Sequence, residues 1–318
     1  MTALLLSDPS PALRLRVLTE LLDAPAGDPE VADLRALPPA AEEKALLATE
    51  PADLKDLSYL LCRLGYAGFD RDHPRVRTLA ERVFDAQLED GSFALRAFRP
   101  EGQYSMVPLQ VSLPLRGLAS VGYATDPRAE RAYTWLLAQR LDDGSWPTAR
   151  ASGHPGYVAG YRRLPGSAGC RANTQAAIAA LVRHPERRTD RDTRTAVDLL
   201  LRRETRDEVA VGTEVARLRG VVPATGFFTF YARFDLAFIL DLASRAGAGT
   251  DDQRVADLVA FFADRRGPAG LWEHPGHPEL SRWLSLDLAL SLRRLDAGDW
   301  AEAGPRMRFG RRTAGRRG

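Results

Sequence analysis

Lysine is almost missing from this chain. Only Lys44 and Lys55 occur, so nearly all of its positive charge is carried by arginine. Cysteine is equally sparse. Cys62 and Cys170 stand alone, with no Cys-x-x-Cys pair, which excludes a disulfide framework and a cysteine-based zinc module and leaves two reduced, mostly buried thiols as the expectation. No apolar run is long enough to cross a bilayer. The opening MTALLLSDPSP has a very short apolar patch and no basic lead, so a signal peptide is not expected and a cytoplasmic location is. A basic face interleaved with aromatics is also lacking, which argues against sequence-specific nucleic-acid binding.

The chain has 318 residues, 45% hydrophobic and 27% charged, enough for one large domain with a continuous core. Its formal charge of +2 is uneven, because six arginines and no acid lie after Gly304. Taking those six away leaves the body at −4. We therefore expect a single domain over residues 1–303 and a disordered, solubilising basic tail over 304–318.

The chain also repeats itself. Asp126 to Pro147 reads as an aspartate cap, a proline in the first turn, an apolar face (Ala129, Ala132, Tyr133, Leu136, Leu137), then Gln139, Asp143, Gly144 and Trp146. A close copy upstream has Pro74, Val76, Leu79, Ala80, Val83 and Phe84, followed by Gln87, Asp90, Gly91 and Phe93. A weaker copy over Asp251 to Trp272 keeps Gly270 and Trp272 but has no glutamine. The glycines suit a turn needing positive φ. The glutamine amide is expected to bind a neighbouring turn's backbone, with the aromatic ring folded back on its helix.

Gln, then Gly, one residue and Trp or Phe, resembles the QW-type repeat of the prenyltransferase and squalene-cyclase superfamily, over about residues 50–296. The resemblance implies an (α/α) toroid of inner and outer helices and a hydrophobic cavity for an isoprenoid-like chain. It does not bring the family's chemistry with it. The aspartate-rich DxDD acid motif of the cyclases is absent, Asp70 and Asp72 giving only two carboxylates that end in His73. The zinc ligands of the prenyltransferases are absent too. His274 and His277 have no obvious third partner, so neither metal nor cofactor is expected.

Read along the chain, helices are expected over 8–22, 29–37, 54–64 with Gly65 as its stop, and 74–88; residues 38–51 are ambiguous. Residues 107–121 alternate like a strand, yet Pro108 and Pro114 and the repeat logic favour a kinked helix. Two classes then alternate. Helices at 74–88, 127–139, 190–203 and 253–265 are striped, whereas those at 107–121, 171–182, 233–245 and 283–295 are apolar almost all round. Striped helices have a wet face and all-apolar ones are enclosed. The expected architecture is thus an all-α toroid of five to six hairpins, completed by the N-terminal helices over 8–64, with an open helical solenoid as the competing form.

In such a ring the starts of the enclosed helices face the cavity. That places Tyr104, Gln110, Cys170, Asn173, Phe230, Tyr231, Phe234, Arg282 and Trp283 as ligand-binding candidates. Asp235 and Asp287 are the catalytic candidates, acids kept protonated by desolvation. The plainer reading makes them ion-pair partners for Arg233 and Arg282. Aromatic rings around Phe227 to Phe238 either shield a developing carbocation or pack the core. Attack by Cys170 lacks a visible activator. The function expected is a terpenoid-cyclase-like enzyme, or binder, for an isoprenoid or other apolar small molecule. The other reading is a non-catalytic scaffold for a lipid or a partner protein. Nothing in the sequence sets the oligomeric state.

Overall fold

The computed structural model describes residues 1–93, 107–148, 164, 166–202, 210–222 and 235–298, with the backbone alone for 107–110. Among these the fold is all-α. It has fourteen α-helices and no strand, only isolated bridges. In chain order they are α1 (Thr2–Leu6), α2 (Pro11–Arg16), α3 (Pro29–Ala36), α4 (Ala41–Ala48), α5 (Leu54–Tyr66), α6 (Pro74–Asp85) and α7 (Val107–Ser120). There follow α8 (Pro127–Ala138), α9 (Arg171–Leu181), α10 (Arg191–Leu201), α11 (Thr213–Leu218), α12 (Leu236–Arg245), α13 (Gln253–Ala263) and α14 (Ser281–Leu295). A π turn, Val17–Leu21, extends α2. The ambiguous stretch contains α4, whose first turn is held by Glu43 accepting the Ala40 amide at 2.7 Å. No helix among the described residues is long and apolar enough to cross a membrane.

Burial separates the two classes except at α10, expected to be striped, which buries seven of its eleven residues. Every residue of α9 is buried, and so is each residue of α7 from 111 to 118. By contrast α6 buries only Val76, Leu79, Ala80, Val83 and Phe84, its single stripe. The enclosed helices pack side by side, α5 on α7, α7 on α9 and α12 on α14. Gly65 is not the stop of α5. It lies inside the helix, where an added Cβ would stand 2.2 Å from the Ser120 carbonyl oxygen. Gly117 on α7 returns the arrangement, 2.6 Å from the Ser58 oxygen. A glycine on each helix lets the two backbones touch.

Three of the four striped helices, α6, α8 and α13, share one terminal device. Asp126 accepts the Arg128 amide at 2.9 Å, and Asp252 accepts that of Arg254 at 2.9 Å. His73 Nδ1 does the same for Arg75 at 3.2 Å. Each of those arginines then reaches back to an acid in or just after an earlier helix: Arg75 to Glu50, Arg128 to Glu81 on α6, and Arg254 to Asp198 on α10 at 2.6 Å. Cap and clamp are one motif, repeated.

The closing turns repeat as well. The Leu88 amide donates to Ser92 O, Leu141 to Ser145 O and Gly267 to Leu271 O, all at 2.8 Å, with Gly91, Gly144 and Gly270 at φ 87°, 88° and 77°. Trp146 Nε1 donates to Leu136 O at 2.8 Å and Trp272 Nε1 to Phe262 O at 2.7 Å, so each ring folds back on its own helix. The tryptophan amides then dock on hydroxyls of enclosed helices, Thr174 on α9 and Ser285 on α14. Gln87 behaves as expected, donating to Gly91 O and to Arg128 O. In this register, however, its counterparts are Arg140 and Arg266, not Gln139. Arg266 Nε replaces the amide, donating to Gly270 O at 2.9 Å.

Candidate functional site

Several buried or half-buried helices finish at one cavity of about 320 Å³. Gly65 and Tyr66 end α5, Ala119 and Ser120 end α7, and Val182 and Arg183 follow α9. Leu218 closes α11 and Arg245 closes α12, while Arg16 and Glu20 come from α2 and its π turn. A smaller space of about 50 Å³ adjoins it, bordered by Arg16, Tyr66 and Arg183 again and by Glu214, Asp241 and Asp287. The walls are polar. Arg16, Arg116, Arg183, Arg188 and Arg245 line the larger space, with Glu20 as the one carboxylate among the described residues. An apolar cavity was the expectation; this one carries hydrogen-bonding groups and positive charge.

Most of these arginines are answered. Arg16 donates to Glu20 at 2.7 Å and to Asp287 at 3.1 Å, and its guanidinium lies 4.5 Å from the Tyr66 ring centroid. Tyr66 donates its hydroxyl to Asp287 at 2.7 Å. Burial raises the Asp287 carboxyl above the ordinary range; Arg16 and the Tyr66 hydrogen bond oppose it, and Asp241 and Glu20 add repulsion. Burial acts on Glu20 as well, but Arg16 outweighs it and leaves that carboxyl low. One guanidinium thus serves two acids, and Asp287 is the weaker claimant. Arg116 pairs with Glu214 and stands 5.2 Å from the Phe238 ring centroid. Arg245 pairs with Asp241 at 2.8 Å, and Arg294 joins it at 3.0 Å. Burial works against the Asp241 charge, yet Arg245, Arg294 and Arg183 together hold the carboxyl well below its usual range.

Arg183 differs. Its Nη1 donates to Ala179 O at 2.6 Å, and no carboxylate among the described residues lies within ion-pairing distance. Burial lowers its pKa to about 9, helped by the neighbouring charges of Arg116 and Arg245. Cys62 also borders the cavity, its thiol pushed up by burial against the pull of Arg116 and Arg183.

Asp235 is engaged otherwise. It caps α12, accepting the amides of Gly212 at 3.0 Å, Glu214 at 2.8 Å and Ala237 at 3.1 Å, so its oxygens join α11 to α12. Burial raises its pKa to about 6 against those amides and His274. Asn173 donates to Pro147 O at 2.5 Å and the Cys170 amide to Trp146 O at 2.8 Å, both fastening α9 to the preceding turn. Neither borders the cavity, which lies at the far end of α9, about 16 Å away for a helix of that length. Arg282 pairs with Asp8 at 3.2 Å, and Trp283 packs against Tyr66 at 5.2 Å between centroids with Arg219 stacked on it. Tyr104, Phe230, Tyr231 and Phe234, and the side chain of Gln110, lie outside the described residues. His274 spends both ring nitrogens on backbone, Nδ1 accepting from Gly276 and His277 and Nε2 facing Gly212 O at 2.9 Å.

The residues that line the cavity had a signal in the sequence. An arginine stands at or near the end of each enclosed helix, Arg63, Arg116, Arg183, Arg245 and Arg294, and of these Arg116, Arg183 and Arg245 line the cavity. Arginine near a C-terminus answers the negative end of the helix dipole, which makes it easy to pass over as routine capping. Comparison with known proteins adds little. No family model and no curated protein matches the chain. A crystal structure of a protein from Actinoplanes is similar at 13% identity over 80% of this chain and 98% of that one, with a TM-score of 0.32. A likeness so distant assigns neither fold nor activity.

Proposed function

We propose that the helical hairpins close into a ring of the squalene-cyclase and prenyltransferase repeat type, and that the protein binds a small polar molecule in the cavity where the enclosed helices end. The observation that carries this reading is the cavity itself, about 320 Å³ in volume and bordered by charged side chains from successive helices. Spaces of this size with a few placed polar groups are where small ligands bind. Closure is supported by the meeting of the chain's first and last helices. Arg16 reaches Asp287, Asp8 takes Arg282, and Arg293 donates to the carbonyls of Glu20 and Leu21 at 3.0 and 2.8 Å.

An isoprenoid remains within the proposal only if it carries a polar or charged end, because a bare hydrocarbon would leave the arginines of the wall desolvated without compensation. Both aspartates border the smaller space, but for proton transfer Asp287 is better placed, since it touches Tyr66 whereas Asp235 is saturated by backbone amides. Ala119→Trp tests the reading, because that position borders the cavity and an indole there takes up part of its space. Native mass spectrometry of the wild type, incubated with metabolite and lipid extracts, is expected to show a retained small molecule that the variant loses while keeping its helical circular dichroism. A wild type that retains nothing points instead to a scaffold.

A further inference from the structure

We infer that the ligand of this cavity carries an anionic group, a phosphate or a carboxylate, seated on Arg183 between Arg116 and Arg245. The inference rests on the cavity-binding reading above and specifies the charge of what binds. Its basis is an imbalance of partners. Arg16 has Glu20 and Asp287, Arg116 has Glu214, and Arg245 has Asp241, each within ion-pairing distance. Among the described residues Arg183 has only the Ala179 carbonyl, which occupies one of the five N–H donors of a guanidinium. Its other nitrogens are neither bonded to a described group nor sealed from solvent, so they open on the cavity the side chain lines.

A guanidinium in this position is costly in an empty protein. Desolvation and two neighbouring arginines both work against its charge, which is why its pKa is drawn down toward about 9. An anion between the three removes both penalties and takes up the fork geometry that arginine offers to carboxylate and phosphate. The negative helix ends that converge here weigh against an anion. They are partly closed, Phe69 donating to Leu64 O, Tyr123 to Leu118 O and Ala248 to Ala243 O. The five arginines of the wall are set against what is left.

The same imbalance sets two effects of opposite sign for Arg183→Met. Without ligand the variant is expected to match or exceed the wild type in thermal midpoint, because it deletes an unpaired cation. With ligand it is expected to lose the stabilisation that an anion gives the wild type. The test is thermal unfolding of the full chain against inorganic phosphate and, separately, succinate, with sodium chloride at matched ionic strength as the reference. Wild type is expected to rise with at least one of the two, and the half-maximal concentration to increase about tenfold or more in Arg183→Met. The arm that responds tells phosphate from carboxylate. Arg183→Lys keeps the charge without the fork and is expected to fall between. An undiminished response in a folded Arg183→Met would overturn the site, and so would a wild type indifferent to both anions. If that same protein still retains an uncharged molecule lost in Ala119→Trp, the cavity reading survives and only the anion is wrong.

Discussion

Asp235 and Asp287 began as equivalent acids on enclosed helices, and their surroundings make them different groups. Asp235 lies among backbone amides, whereas Asp287 shares Arg16 with Glu20 and accepts from Tyr66. The difference predicts how stability follows pH. Asp235 has its folded pKa raised to about 6 from the ordinary carboxylate value, so the native state holds its proton more tightly than the unfolded chain does. Its contribution is complete below about pH 4 and declines as pH rises through 6. Urea unfolding across that window should show the wild type losing stability relative to Asp235→Asn, by up to about 3 kcal/mol at roughly 1.4 kcal/mol per pH unit. A wild type that gains stability relative to Asp235→Asn as pH rises contradicts the assignment. Both aspartates could be nominated from sequence because a carboxylate in an apolar helix is conspicuous. Their partners could not be read, since Arg16 lies 271 positions from Asp287 and Gly212 lies 23 from Asp235.

Helices were the most legible level. The cap at Asp126, the apolar stripe of α6 and the helical character of the proline-containing 107–121 stretch all follow from local chemistry. What local chemistry hides is why a residue sits inside a helix. Gly65 looks like a terminator, but the neighbour that needs it is Ser120, on a helix far along the chain. Propensity and packing therefore predict opposite outcomes for Gly65→Ala. Alanine favours an isolated helix by about 1 kcal/mol. Here the new methyl meets backbone, and the two helices must separate, so we expect a net loss of about 2–4 kcal/mol in chemical denaturation. A more stable Gly65→Ala protein would mean that α5 and α7 do not touch at this point. The closing turns teach a related lesson. Gln139 stands five residues before Gly144 where Gln87 stands four before Gly91, and both spacing and hydrogen-bond register put Arg140 in that place. Arg266 shows that a guanidinium can make the same bond to the turn carbonyl.

At the scale of the molecule, a series of repeated arginine clamps and a set of enclosed helices divide the work. The series need not be uniformly strong. Arg254 and Asp198 are almost fully buried, with side-chain exposures of 1% and 2%, whereas Arg128 and Glu81 stand at 34% and 53%. Exposed pairs of the second kind contribute little, and buried ones are costly to break. Inside, alternation of striped and apolar helices predicted enclosure correctly but suggested an apolar interior. The described cavity is polar because the enclosed helices carry arginine at the ends that converge there, a property of a few positions that average hydrophobicity conceals.

The most direct test of that interior is a crystal of the protein soaked in sodium tungstate and measured at the tungsten edge. We predict an anomalous peak beside the Arg183 guanidinium, within hydrogen-bonding distance and framed by Arg116 and Arg245, with the cavity walls otherwise unmoved. A cavity closed by side chains meeting across it, or tungstate found only on the outer surface, would contradict the account.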